Sequence, residues 1–336
     1  MKPAFVALGT GQCPQLRPSL CFHTATIELA TDRWGNACPA SSKVIAMKQL
    51  KLTDGRAFEY ENNGVKSDKA ILFLHGTPGS IKTWAKWLPE VSGCLAIAAS
   101  RAGYGKSDRH LGRTVADDLA DQQALLDYFH IKEFVAIGWS GGGPHSINMT
   151  RDPRCKGAIT LAGAAEWGHA DLDFLADMGP ENEDEFGVAL IGEAALQAWM
   201  LKNAAAYKTI TGPDIIATLG GLIGDADKAA LTPEVSVDAA EGMRYAVVDS
   251  FNGWVDDDLA FVQKFGFDLG AITKPVLVWQ GDDDFMVPKA HSEWLVKHIP
   301  TATLNFIPGH GHISLTTAYR PEIIKQAMEL LMSMKR

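Results

Sequence analysis

The stretch Gly138-Trp139-Ser140-Gly141-Gly142 constrains this chain more than any other. Residues 133–137 before it, Glu-Phe-Val-Ala-Ile, read as a strand, because a short run rich in β-branched and aromatic side chains is too brief for a helix. Residues 144–148 after it open a helix. A strand that passes into a helix through G-x-S-x-G turns so sharply that glycines must flank the serine. Ser140 then projects from the strand end as a candidate nucleophile, with the backbone N–H of Gly141 directly after it.

The segments around this elbow alternate. Lys48–Leu52 and Ala57–Tyr60, joined through Asp54-Gly55, predict a β-hairpin. Lys69–Leu74 reads as a buried strand running into His75-Gly76-Thr77-Pro78-Gly79, and Cys94–Ala99 as the next strand. Thr114–His130 has helical spacing with an acidic first turn, and Gly157–Ala162 is a further strand. Later come a strand at Lys274–Gln280, a helix over 290–298, a strand at Thr303–Ile307 and an amphipathic C-terminal helix. Strands alternating with helices imply an α/β fold with a mostly parallel, doubly wound sheet covered on both faces.

Two segments depart from this plan. Residues 1–46 hold Cys13, Cys21 and Cys38 among scattered Pro, Gly, Ser and Thr without sustained periodicity, and read as a poorly ordered tail. Met47, directly before the first strand, is an alternative start. Cys13, Cys21 and His23 fit no zinc spacing. Residues 163–272 are helix-prone and carry 20 acidic against 5 basic side chains, a local balance of −15 in a chain of net charge −9, so the remainder stands at +6. That shift marks an inserted helical lid, which divides the core into 47–162 and 273–336. The acidic balance argues against nucleic acid as a partner. No apolar run is long enough to span a membrane. The odd cysteine count without a C-x-x-C pair fits a reduced, cytoplasmic protein without a metal site.

From residue 47 onward the chain resembles the α/β-hydrolase superfamily, specifically its lidded serine hydrolases of the esterase and proline iminopeptidase-like branch. The resemblance rests on H-G-x-x-G at His75–Gly79, G-x-G-x-S at Gly103–Ser107, the serine elbow, G-x-x-D-x-x-V-P at Gly281–Pro288 and the late Gly311-His312. It implies a Ser-His-Asp triad in the order Ser140, Asp284, His312, because a serine hydroxyl needs a base and the base an orienting acid. His310 is the alternative base; Asp283 and Glu166 are alternative acids. The resemblance also implies that the oxyanion of a tetrahedral intermediate would lie on the backbone N–H groups of Gly141, directly after the nucleophile, and of Thr77, the residue that follows His-Gly in the family; Pro78 has no N–H to give. No cofactor and no metal are implied.

Ser140 at the elbow disfavours epoxide hydrolases and haloalkane dehalogenases of this fold, which carry Asp there. Ester, amide and carbon–carbon bond hydrolysis remain, with cofactor-free perhydrolysis, all on a small-molecule substrate. His75–Ser80 and the acidic lid lean toward proline iminopeptidases, where a carboxylate would hold the α-ammonium; Glu166, Glu241, Asp249 and Asp256 are the candidates. Against that branch, Trp139 precedes the serine where those peptidases commonly have Trp after it. Ser100 also stands where their Asp-x-x-Gly-x-Gly-x-Ser begins with Asp. Trp139 and Trp167, with Trp84 and Trp87, are candidates for an aromatic pocket. A hydrolase fold serving only as a ligand-binding protein is the remaining function class.

Overall fold

The computed structural model describes residues 48–333, and the expected tail over 1–46 lies outside them. Its sheet consists of β1 (Lys48–Lys51), β2 (Ala57–Asn62), β3 (Lys69–Leu74), β4 (Leu95–Ala99), β5 (Glu133–Trp139), β6 (Cys155–Leu161), β7 (Val276–Gly281) and β8 (Ala302–Ile307). The spatial order is β1-β2-β4-β3-β5-β6-β7-β8. The opening hairpin pairs antiparallel and continues antiparallel onto β4; from there to β8 every pairing is parallel. The chain steps from β3 outward to β4, then back across to β5. Strand order therefore reverses around β3, and the crevice at the carboxyl ends of β3 and β5 is where such sheets bind ligands.

The helices are α1 (Asp118–Tyr128), α2 (Gly142–Asn148), α3 (Pro180–Ala189), α4 (Glu193–Asn203), α5 (Ile215–Leu219), α6 (Asp225–Ala230), α7 (Pro233–Ala246), α8 (Asn252–Phe261), α9 (Lys289–His298) and α10 (His312–Met332). Period-two alternation sends the β3 side chains to opposite faces. Ile71 and Phe73 pack with Trp84, Trp87 and the α10 residues Leu315, Ile323 and Ala327, whereas Leu72 and Leu74 pack with Leu125 and Leu126 of α1. A third cluster joins Ile147, Phe261, Trp294 and Leu295 from α2, α8 and α9. Each such side chain fully removed from water contributes about 1.5–3 kcal/mol.

The helix expected over Thr114–His130 begins only at Asp118. The Asp117 carboxylate takes the Thr114 N–H at 2.7 Å and its hydroxyl at 2.8 Å, which closes a turn ahead of the helix. Between β6 and β7 the chain runs through α3 to α8. Among the described residues no helix is long and apolar enough to cross a membrane.

Candidate active site

Ser140 has φ +57°, in the left-handed region that non-glycine residues rarely occupy. The turn is enforced by contact. A β-carbon on Gly142 would lie 2.1 Å from the Leu74 carbonyl oxygen, and one on Gly138 would lie 2.0 Å from that of Gly142. The Ser140 N–H donates to Leu161 O at 2.9 Å, and Gly143 N–H donates to Ser140 O at 2.8 Å, which ties the elbow to β6 and starts α2. The Ser140 hydroxyl has no hydrogen-bond partner among the described residues.

The three consecutive aspartates after β7 have separate tasks. Asp284 is buried, accepts from the Met286 and Val287 N–H groups at 3.0 and 2.8 Å, and meets His312 Nδ1 at 2.8 Å. Asp283 accepts from the Ala226 N–H at the start of α6, at 2.8 Å. Asp282 accepts from Gly309 N–H at 2.7 Å. Only Asp284 touches His312. Burial works against the His312 imidazolium, but the Asp284 carboxylate outweighs it and raises the histidine pKa above its ordinary value. His310, the alternative base, packs edge-on to Tyr319 and has no hydrogen bond or ion pair with Asp284 among the described residues.

A residue without any local sequence signal fixes His312. Asp227 of α6 is buried, and its carboxylate accepts from the N–H groups of His312, Ile313 and Ser314 at 2.9, 2.9 and 2.8 Å. These are orphan donors of the first turn of α10, so the cap of that helix is supplied from 85 residues away. Trp139 supports the same residue, donating Nε1–H to His312 O at 3.2 Å with its ring 5.3 Å from the imidazole.

Ser140, His312, Thr77, Gly141 and Trp139 line one cavity of about 320 Å³. Its apolar walls include Phe174, Met178 and Phe186 from the β6–β7 segment. Thr77 and Gly141 are adjacent, since a β-carbon on Gly141 would lie 2.4 Å from Thr77 Oγ1. Neither of their N–H groups has a protein acceptor among the described residues.

Two expected pocket residues are not in this wall. The Glu166 carboxylate accepts from the Phe265 N–H at 2.7 Å and faces His169 at 2.6 Å and Lys264 at 3.4 Å, so it reaches neither the cavity nor His312. Trp167 packs on Phe174 instead, with ring centroids 4.9 Å apart. The other acids considered for an ammonium group all have cations already: Glu241 with Lys82, Asp249 with Lys106, Asp256 with Arg109. The acids that do stand buried in the cavity wall are Glu185 of α3 and Asp258 of α8. Burial pushes the Glu185 carboxyl up to about 6 and, with Glu185 beside it, Asp258 well above the ordinary carboxylate range. Two carboxyls this close resist ionising together.

A family model described as alpha/beta hydrolase fold matches residues 69–186. The chain is 28% identical over 278 residues to a non-heme haloperoxidase of Rhodococcus erythropolis, covering 79% of this chain and 93% of that protein. It is 24% identical over 287 residues to a probable proline iminopeptidase of Leptolyngbya boryana, covering 75% and 84%. The enol-lactonase of Burkholderia xenovorans LB400 superposes with a TM-score of 0.63 at 17% identity, over 85% of this chain and all of that one.

Proposed function

We propose that this chain, which has the α/β-hydrolase fold, is a serine hydrolase that cleaves a small carboxylic ester, and less readily an amide, through an acyl-enzyme. Ser140 is the nucleophile, His312 the general base, Asp284 the acid that orients it, and the N–H groups of Thr77 and Gly141 the oxyanion site. The observation that carries this reading is the buried Asp284–His312 pair, whose histidine lines the same cavity as the elbow serine. With Nδ1–H donating to Asp284, Nε2 is left to take the Ser140 proton as Oγ attacks the ester carbonyl. Collapse of the tetrahedral intermediate expels the alkoxide, which receives that proton from His312. Water, deprotonated by the same nitrogen, then attacks the acyl carbonyl; the Ser140 Oγ–acyl bond breaks, His312 returns the proton to Ser140, and the acid is released. Residues 163–272 serve as a lid whose helices complete the cavity and keep bulk water from the acyl-enzyme.

A fluorophosphonate probe is expected to label Ser140, as read by mass spectrometry of the labelled peptide. Labelling that persists in Ser140→Ala would overturn the assignment, and wild-type protein that neither labels nor turns over any p-nitrophenyl ester would point to a ligand-binding protein instead.

The second reading, an aminopeptidase, is favoured by one observation: two buried carboxyls, Glu185 and Asp258, stand together in the cavity wall, where an ammonium group could pair with them. An alkoxide leaves more readily than an amine, and the remaining lid acids considered are paired with cations. We therefore expect kcat/KM for p-nitrophenyl butyrate to exceed that for prolyl p-nitroanilide by about tenfold or more. The reverse preference, abolished in Glu185→Gln, would establish the aminopeptidase.

A further inference from the structure

Behind the turn that carries Thr77 lies a buried polar cluster assembled from distant parts of the chain. Asp257 of α8 is wholly buried. Its Oδ2 accepts from Thr77 Oγ1 at 2.5 Å, Arg101 Nη2 at 2.6 Å and the Tyr104 hydroxyl at 2.8 Å, while Oδ1 meets Arg113 at 2.6 Å. Burial alone would raise the Asp257 carboxyl, but the two guanidiniums outweigh it and hold it well below the usual range. The carboxylate is thus a fixed charge.

Arg101 extends this grip to the backbone. Its guanidinium donates to the carbonyls of His75 and Gly76, the latter at 3.0 Å. His75 Nε2 accepts the Arg101 N–H at 2.9 Å, which leaves Nδ1–H to donate to Gly76 O at 2.7 Å. The Gly76 carbonyl is therefore held by two donors. The Gly76–Thr77 peptide is trans, so its N–H points opposite to its C=O. Gly76 itself borders the nucleophile, since a β-carbon on it would lie 3.1 Å from Ser140 Cβ.

We propose that Asp257 and Arg101 are positioning residues for the oxyanion site. The roof helix α8 supplies a carboxylate that clamps the Thr77 hydroxyl and the Arg101 guanidinium. The guanidinium in turn pins the Gly76 carbonyl, so that the Thr77 N–H is aimed into the cavity before substrate arrives. A donor fixed in advance needs no reorganisation as charge develops on the substrate oxygen. The β6–β7 segment is then part of the catalytic geometry as well as a cover. The inference rests on the serine hydrolase reading, and ester turnover with Ser140 labelling in the wild type tests that premise separately.

Thr77→Val removes the hydroxyl at nearly constant volume and severs its bond to Asp257. In wild-type background, we expect it to lower kcat about 10–100-fold, less than or up to the loss of a whole oxyanion donor, with KM within about twofold. Inhibition by a trifluoromethyl ketone, whose adduct with a serine bears an oxyanion, should weaken in parallel. Thr77→Ser, which keeps the hydroxyl, should retain most of kcat, and Asp257→Asn and Arg101→Lys should show the same split between kcat and KM where they fold. Unchanged kcat in Thr77→Val overturns the proposal. So does a loss carried by KM alone, or an equal loss in Thr77→Ser, since either would assign the effect to packing. The trifluoromethyl ketone constant, measured on folded Thr77→Val, keeps the test open whether or not the buried variants fold.

Discussion

Ser140→Ala is expected to lower kcat for ester hydrolysis by about 10⁴–10⁶-fold while leaving the melting temperature within a few degrees of wild type. Both halves of that expectation have a structural cause. Ser140 sits at φ +57° because the strand-to-helix turn forces it there, and alanine in that place bears the same backbone strain as serine. The hydroxyl makes no hydrogen bond among the described residues, so its removal leaves no partner unsatisfied. His312→Ala should cost a similar factor. The double variant should be no slower than either single one, because a base without its nucleophile has nothing to activate. Steady-state rates on p-nitrophenyl butyrate, with circular dichroism as the control for folding, decide the matter. A residual rate within about tenfold of wild type in Ser140→Ala would mean that the nucleophile lies elsewhere.

What the sequence disclosed and what it hid divide along a physical line. Local pattern disclosed the strands, because side chains buried on both faces of a parallel sheet leave apolar runs such as Ala70–Leu74. It disclosed the elbow, because only small residues permit the close approach of Gly142 to Leu74. Sequence distance hid the carboxylates that organise the site. Asp227 caps the turn bearing His312 across 85 residues, and Asp257 pairs with Arg101 across 156. In the sequence they are two acids among many in an acidic segment, where charge ordinarily means a solvated face. Proximity along the chain also misled: Glu166 follows β6 closely, yet the exit from that strand carries its carboxylate to the Phe265 N–H rather than to His312. The run Asp256-Asp257-Asp258 shows the same effect in one turn of α8. Successive positions point about 100° apart, and the acids reach Arg109, the Arg101–Thr77 cluster and the cavity in turn.

The run Asp282-Asp283-Asp284 resolves in the same way, and it carries the second large effect. Asp284→Asn is expected to lower kcat by about 10⁴-fold, since an amide in place of the carboxylate no longer holds the Nδ1–H tautomer and no longer stabilises the imidazolium. The pH profile identifies the cause. In the wild type the carboxylate raises the His312 pKa above its ordinary value of 6.5, so kcat/KM should fall as pH drops through a value above 6.5, where the base becomes protonated. In Asp284→Asn the main raising influence is gone; the Asp227 carboxylate still favours the imidazolium, while burial still opposes it. The acid limb of the residual activity should therefore move to lower pH. Asp283→Asn weakens only the bond to the Ala226 N–H, and Asp282→Asn only that to the Gly309 N–H. Both should keep near wild-type kcat and an unmoved limb, with a stability loss of about 1 kcal/mol at most. An Asp284→Asn enzyme with a normal rate and limb, beside a crippled Asp283→Asn or Glu166→Gln, would transfer the orienting role to that residue and require His312 to turn away from the partner it now meets at 2.8 Å.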